Sequence, residues 1–171
     1  QSSSLPPTLY NRIVKISKNA TRMRNMISEL LEFRKLEQNY VSLRVCEQNL
    51  VPFLKDIYLS YCELAAQRTI SFNLHHEEDD VLLWFDSNQL QKVFYNLLSN
   101  AFKNTPEGGK IVMRLDSSAQ KDTFTLSVSD SGPGVPAEKR KMLFVRFEQI
   151  NYASDGTGVG LHLTAELAKV H

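Results

Sequence analysis

The chain has 171 residues, enough for one full-sized domain or a small domain with an appendage. Its 42% hydrophobic and 23% charged residues exclude a disordered tail, and a formal net charge of +1 argues against nucleic acid as the main partner. No apolar run approaches the roughly 18 residues of a membrane span, and no signal peptide is visible.

The first predicted element is a helix from Pro6 to about Asn39. Ile13, Ile16, Ala20, Met23, Ile27 and Leu30 recur three and four apart, the seam spacing of a coiled coil or helical bundle. Leu9, Leu31, Phe33 and Leu36 broaden that face. A lone helix cannot bury such a stripe, so it needs a partner helix from elsewhere in the protein or from a second chain. The alternative is that it folds back on the domain behind it.

After Asn39 the pattern changes. "YVSLRV" alternates as a strand does, and a helix follows from about Leu50 to Gln67. "TISFNL" and "VLLWFD" read as strands, with the polar "HHEEDD" between them as a solvated hairpin connection. His75 and His76 beside four acids suggest a metal site, but adjacent strand residues point to opposite faces, so the hairpin reading is preferred. A helix is expected from about Ser87 to Lys103, then strands at "KIVMRL" and "DTFTLSVSD". A glycine-bearing loop, a short helix near Glu138 to Phe144, a polar segment and a last helix after Gly158 complete the chain. These elements predict an α/β sandwich with helices covering one face of a sheet. Cys46 and Cys62 form no C-x-x-C unit and are expected to be reduced, core-like thiols. The chain starts without an initiator methionine and stops within an apolar pattern, which suggests a fragment.

Three local features point to chemistry. In "NLLSNAFKNTP", Leu90, Val93, Phe94, Leu97, Leu98 and Ala101 make one apolar stripe, while Asn96, Asn100 and Lys103 stack on another side. Asparagine costs a helix up to ~0.7 kcal/mol relative to alanine, so a row of two needs a reason. An amide oxygen is a hard ligand for Mg²⁺, which keeps its remaining positions for water and phosphate, and the lysine adds a point charge. The second feature is "SDSGPGVP", where Asp130 ends a strand and can accept from an exocyclic amine, beside Gly132 and Gly134. The third is "DGTGVGL", with glycines at every second position opening onto a helix, an anion cradle of backbone N–H groups. It has neither the dinucleotide spacing nor the P-loop ending.

In this order the three features resemble the N, G1 and G2 boxes of sensor histidine kinase catalytic domains of the GHKL superfamily. "LFVRF" (Leu143 to Phe147) lies where the F box belongs, with Phe144 and Phe147 at its aromatic positions. "NATRMRNMISELLEFRKLEQ" resembles the second helix of the dimerisation and phosphotransfer hairpin, and "ELLEFRKLE" is similar to hybrid two-component sensors of Bacteroides-type bacteria. The resemblance implies a Bergerat-type two-layer α/β sandwich over 41–171 that lacks its last strands, preceded over 1–40 by one long helix of that hairpin.

It also implies ATP and Mg²⁺ as cofactors. Asn100 would coordinate the metal, with Asn96 on the same face. Lys103 and Arg146 would lie near the phosphates, and Asp130 would bond the adenine amino group, with Gly132 and Gly134 shaping that end. Phe147, Gly156, Thr157, Gly158, Gly160 and Leu161 would complete the nucleotide site, and 149–155 would form a lid. The implied partners are a second copy through the hairpin and a response-regulator receiver domain, with neither nucleic acid nor membrane contacted by this chain. The implied location is the cytoplasmic part of an inner-membrane-anchored sensor.

Relatives that hydrolyse ATP carry a glutamate base one turn before the metal-binding asparagine. Asn96 stands there and cannot take a proton near neutral pH, which favours kinase over ATPase. A degenerate binding module is the third alternative. Two departures are visible. Asn104 stands where an aromatic often stacks on adenine, leaving Tyr95 or Tyr152 as substitutes. None of His75, His76, His162 and His171 has the setting of a phosphoacceptor, so no catalytic histidine is assigned and the acceptor is expected upstream. For His162, local packing is expected.

Overall fold

The computed structural model describes residues 6–37, 42–120, 122–145, 148 and 158–171. Helix α1 (Pro7–Glu37) has the predicted extent within those residues. Its seam is open to solvent: Ile16 is 67% exposed, Met23 65% and Ile27 57%. Among the described residues, the main contact of α1 with the other elements is with the last helix. A helix roughly 46 Å long with that much apolar surface is held only weakly by the domain C-terminal to it.

The remainder builds two layers. Strands β1 (Cys46–Asn49) and β3 (Leu82–Phe85) form an antiparallel pair, with Cys46 opposite Phe85 and Asn49 opposite Leu82. A second sheet has the order β2 (Ser71–His76), β4 (Lys110–Ser117), β5 (Phe124–Asp130). There β2 and β4 are parallel, β4 and β5 antiparallel. Two sequence expectations change here. The first strand begins at Cys46 rather than within "YVSLRV", because Arg44 gives its N–H to the Asp86 carboxylate at 2.8 Å instead of to a ladder. The segment around "HHEEDD" is no hairpin, because β2 and β3 belong to different sheets and the segment carries the chain across.

Helices α2 (Leu50–Gln67) and α3 (Ser87–Asn104) cover the second sheet. Leu50, Val51, Leu54 and Ile57 of α2 are almost fully buried, as are Leu98, Ala101 and Phe102 of α3, against Ile111, Met113 and Leu115 of β4. The β4 residues alternate, so one face of the strand enters the core and Lys110 and Arg114 stay in water. Helix α4 (Gly160–Val170) packs on α3 through Leu163 and Leu167 against Val93 and Leu97. The expected short helix is a 3₁₀ segment, Ala137–Met142. Cys62 is half-buried and Cys46 exposed, both free, so the core-like expectation fails for Cys46.

Each covering helix starts on a side-chain cap. Asn49 Oδ1 accepts from Val51 N at 3.0 Å and from Val81 N at 3.2 Å, and its amide donates to Asp80 at 2.7 Å. Asp86, only 3% exposed, accepts from Asn88 N at 3.0 Å and Gln89 N at 3.1 Å. With Arg44 that makes three backbone donors on one carboxylate. Burial alone would raise its pKa; the hydrogen bonds from Arg44, Gln89 and Asn88, with a smaller contribution from His171, together hold it below the usual carboxylate range.

Candidate functional site

The amide row of α3 runs toward the helix C-terminus, and the topology brings the end of β5 to the same place. Asp130 pairs with Ile111 at the start of β4, which the 105–109 turn joins to α3. Ser131 fastens that corner, giving its N–H to Lys110 O at 3.0 Å while its hydroxyl accepts from Lys110 N at 2.8 Å. Gly132 then lies against the last turn of α3. A Cβ there would stand 2.8 Å from the Asn104 carbonyl oxygen and 2.7 Å from Asp130 Oδ1. The glycine is therefore what lets the Asp130 loop reach the asparagine helix. Asp130 Oδ1 accepts from Gly132 N at 2.8 Å, which shapes the turn, and its side chain remains exposed to solvent.

Asn100 is half-buried and Lys103 is exposed on the last turn of α3. Asn96 is placed differently from its neighbours in the row. Its amide donates to Thr164 Oγ1 at 2.6 Å, and a Cβ on Gly160 would stand 2.5 Å from its Oδ1. Asn96 thus joins α3 to the start of α4, and Gly160 is small because that side chain lies against it. Gly134 has φ +68°, and a Cβ on it would meet no atom within 4 Å, so its backbone conformation and the open space around it suit close approach by a ligand. Gly158 also has a positive φ, +73°. Leu161 is half-buried on the first turn of α4. Arg146, Phe147, Gly156 and Thr157, and the 149–155 lid, lie outside the described residues.

Asn104, where a ring was expected, gives its amide to Asn100 O at 2.8 Å and closes the helix end. Tyr95 is committed to α2: its ring meets Tyr61 edge-on at 5.9 Å and its carbonyl accepts from Tyr61 Oη at 3.2 Å. It is therefore not a replacement for the missing ring; Tyr152 lies outside the described residues. His162 Nδ1 is 2.8 Å from Phe144 O, the local packing role expected of it. His75 and His76 gather no metal-binding cluster among the described residues. A separate cleft of about 500 Å³ opens at the other end of α3, between Gln48, Phe53, Asp56, Ser87 and Gln91. Its lining on α3 stops at Gln91, before the asparagine row begins.

The family model described as histidine kinase-, DNA gyrase B-, and HSP90-like ATPase matches residues 85–171. The chain belongs to that family. Histidine kinase P4 of Formosa agariphila is 33% identical over 95% of this chain, which covers 12% of that protein. Across this and two other similar histidine kinases the chain spans between 10% and 16% of the relative's length. Full-length ShkA in complex with AMPPNP superposes with a TM-score of 0.80 over 98% of this chain and 35% of its own, at 20% identity, a likeness of fold. ThkA, solved in complex with the response regulator TrrA, gives a TM-score of 0.72 at 26% identity over 85% of this chain and 42% of its own. Among the family's members, the chain is a histidine kinase catalytic domain of the GHKL superfamily, in an open α/β sandwich. Among the described residues no helix is long and apolar enough to cross a membrane.

Proposed function

We propose that 41–171 binds Mg-ATP as the catalytic domain of a sensor histidine kinase and that 1–40 is the second helix of its dimerisation hairpin. The observation that carries this is the seating of Gly132 on Asn104, which sets Asp130 beside the helix end bearing Asn100 and Lys103. The donor set fits the ligand: a hard amide oxygen and an ammonium one turn apart, a carboxylate on the adjoining loop, and open glycine backbone at Gly134.

When bound, Mg-ATP supplies the phosphoryl group and the metal that offsets its charge. The chain's part is to hold it. Asn100 would ligate the metal and Lys103, with Arg146 by its place in the sequence motif, would offset the phosphate charge. Asp130 accepts from the adenine amine, with Gly132 and Gly134 at that end. Gly158, Gly160 and Leu161 around the start of α4, together with Phe147, Gly156 and Thr157 that the sequence motifs assign, would complete the nucleotide site. In the whole protein the γ-phosphoryl passes to a histidine on a preceding helix and then to a response-regulator aspartate, in a homodimer joined through the hairpin. A hybrid arrangement anchored at the inner membrane, with this part in the cytoplasm, belongs to the same proposal.

Asn96 separates kinase from ATPase. An amide that donates to Thr164 and carries no proton-accepting carboxylate leaves water without a base at that position. Steady-state hydrolysis by the chain is expected at background, and γ-labelled ATP is expected to leave no label on a histidine. Sustained turnover would favour the ATPase reading; label on a histidine would show that the chain holds its own acceptor.

A further inference from the structure

The C-terminal turn of α3 carries Asn100, Lys103 and Asn104, yet an outside cation fixes its position. Arg68 is the capping residue at the end of α2 and is half-buried. Its guanidinium reaches across to α3, where Nη1 donates to Phe102 O and Nη2 to Thr105 O at 3.0 Å. These are carbonyls that the end of a helix leaves without internal partners, and the negative end of the helix dipole favours a cation there. The neighbouring Ala101 carbonyl is met locally, accepting from Thr105 N at 2.9 Å and from Thr105 Oγ1 at 2.7 Å.

The Arg68 side is itself tightly defined. Thr69 has φ +54°, a left-handed conformation that a β-branched residue adopts only when its surroundings impose it. Thr69 N donates to Ala66 O at 3.2 Å and Ile70 N to Ala65 O at 2.9 Å, the paired bonds of a Schellman ending. That ending aims the chain into β2 and holds Arg68 toward α3. In the same helix turn, the Asn104 carbonyl meets Gly132. The last carbonyls of α3 thus meet Arg68 at Phe102 and Thr105 and the Gly132 loop, which carries Asp130, at Asn104.

We infer that Arg68 is a positioning residue for the nucleotide site, fixing the last turn of α3 so that Asn100 and Lys103 keep their register with Asp130. It acts through the α3 backbone and touches no ligand. This rests on the Mg-ATP reading proposed above. A lysine in its place supplies donors without the planar fork, so it restores part of the effect.

The test is titration of the 171-residue chain with AMPPNP and Mg²⁺, at a temperature where every variant is folded. Arg68→Ala is expected to raise Kd about tenfold and Arg68→Lys about threefold. Ile57→Val, a packing loss elsewhere on α2, is expected to leave Kd unchanged. In the nucleotide-free protein the amide resonances of Asn104 and Gly132 are expected to shift in Arg68→Lys. Wild-type affinity in Arg68→Ala overturns the inference, as does an equal loss in Ile57→Val, which would mark general softening. Should Arg68→Ala fail to fold, wild-type Kd and unshifted amides in Arg68→Lys overturn it. Absence of binding by the wild-type chain overturns the Mg-ATP reading and this inference with it, whereas binding that ignores Arg68 overturns only the latter.

Discussion

Replacing Asp86 by alanine is expected to cost about 3 kcal/mol of folding stability, above the roughly 2 kcal/mol upper end for a single cap because a further buried N–H is left unpaired. The carboxylate is buried and receives three backbone N–H groups, from Arg44, Asn88 and Gln89. Alanine leaves all three without a partner and frees both the first turn of α3 and the entry to β1. For a chain of this size the loss corresponds to a fall in Tm of about 6–12 °C. Asp86→Asn keeps one oxygen acceptor and loses the charge, so an intermediate loss is expected. The pH dependence has a definite sign. The folded-state pKa lies below the unfolded value of about 3.9, so the contribution is fully present above that pH and is lost as pH falls through the folded pKa. Urea denaturation across the acid range checks this: the difference between wild type and Asp86→Asn should shrink toward low pH. A constant difference would remove the charge from the explanation.

Asp130→Asn is expected to weaken Mg-AMPPNP binding by about 1.5–3 kcal/mol, roughly 10- to 150-fold, with little change in Tm. The two effects separate because Asp130 has two tasks. Its Oδ1 holds the Gly132 N–H, and an asparagine oxygen serves that purpose equally well. The charge, on an exposed side chain, is available to a ligand amine and is what the substitution removes. Unchanged affinity by calorimetry would count against the adenine assignment. A large fall in Tm would mean that the charge supports the loop itself.

The helices were legible because their signals are local. Four of the five predicted helices recur as α-helices with boundaries near those expected, the short fifth appears as a 3₁₀ segment, and α2 agrees at both ends, since apolar spacing and caps lie within a few residues of one another. Strand pairing is decided at long range, and there the local pattern misleads. "HHEEDD" between two apolar runs has the look of a hairpin, yet Ser71 pairs with Lys110 and Leu82 with Asn49. The first strand differs for a similar reason: Val41, Leu43 and Val45 alternate well, but the partner strand ends its pairing at Phe85 opposite Cys46.

In the site, the residue types were legible and their partners were not. Asn96 stands out as an amide on a helix face, but its bond to Thr164 joins residues 68 apart in sequence. Arg68 carries no signal beyond a basic residue after a helix, since the carbonyls it serves lie on another element. Gly132 signals backbone freedom near a ligand, and its immediate neighbour proves to be the Asn104 carbonyl.

Calorimetric titration of AMPPNP into the wild-type chain, with and without Mg²⁺, addresses the nucleotide site most directly. One saturable site per chain that tightens with Mg²⁺ is the expected result. A folded chain that gives no saturable heat in the presence of Mg²⁺ would contradict the assignment of Asn100, Lys103 and Asp130 to Mg-ATP.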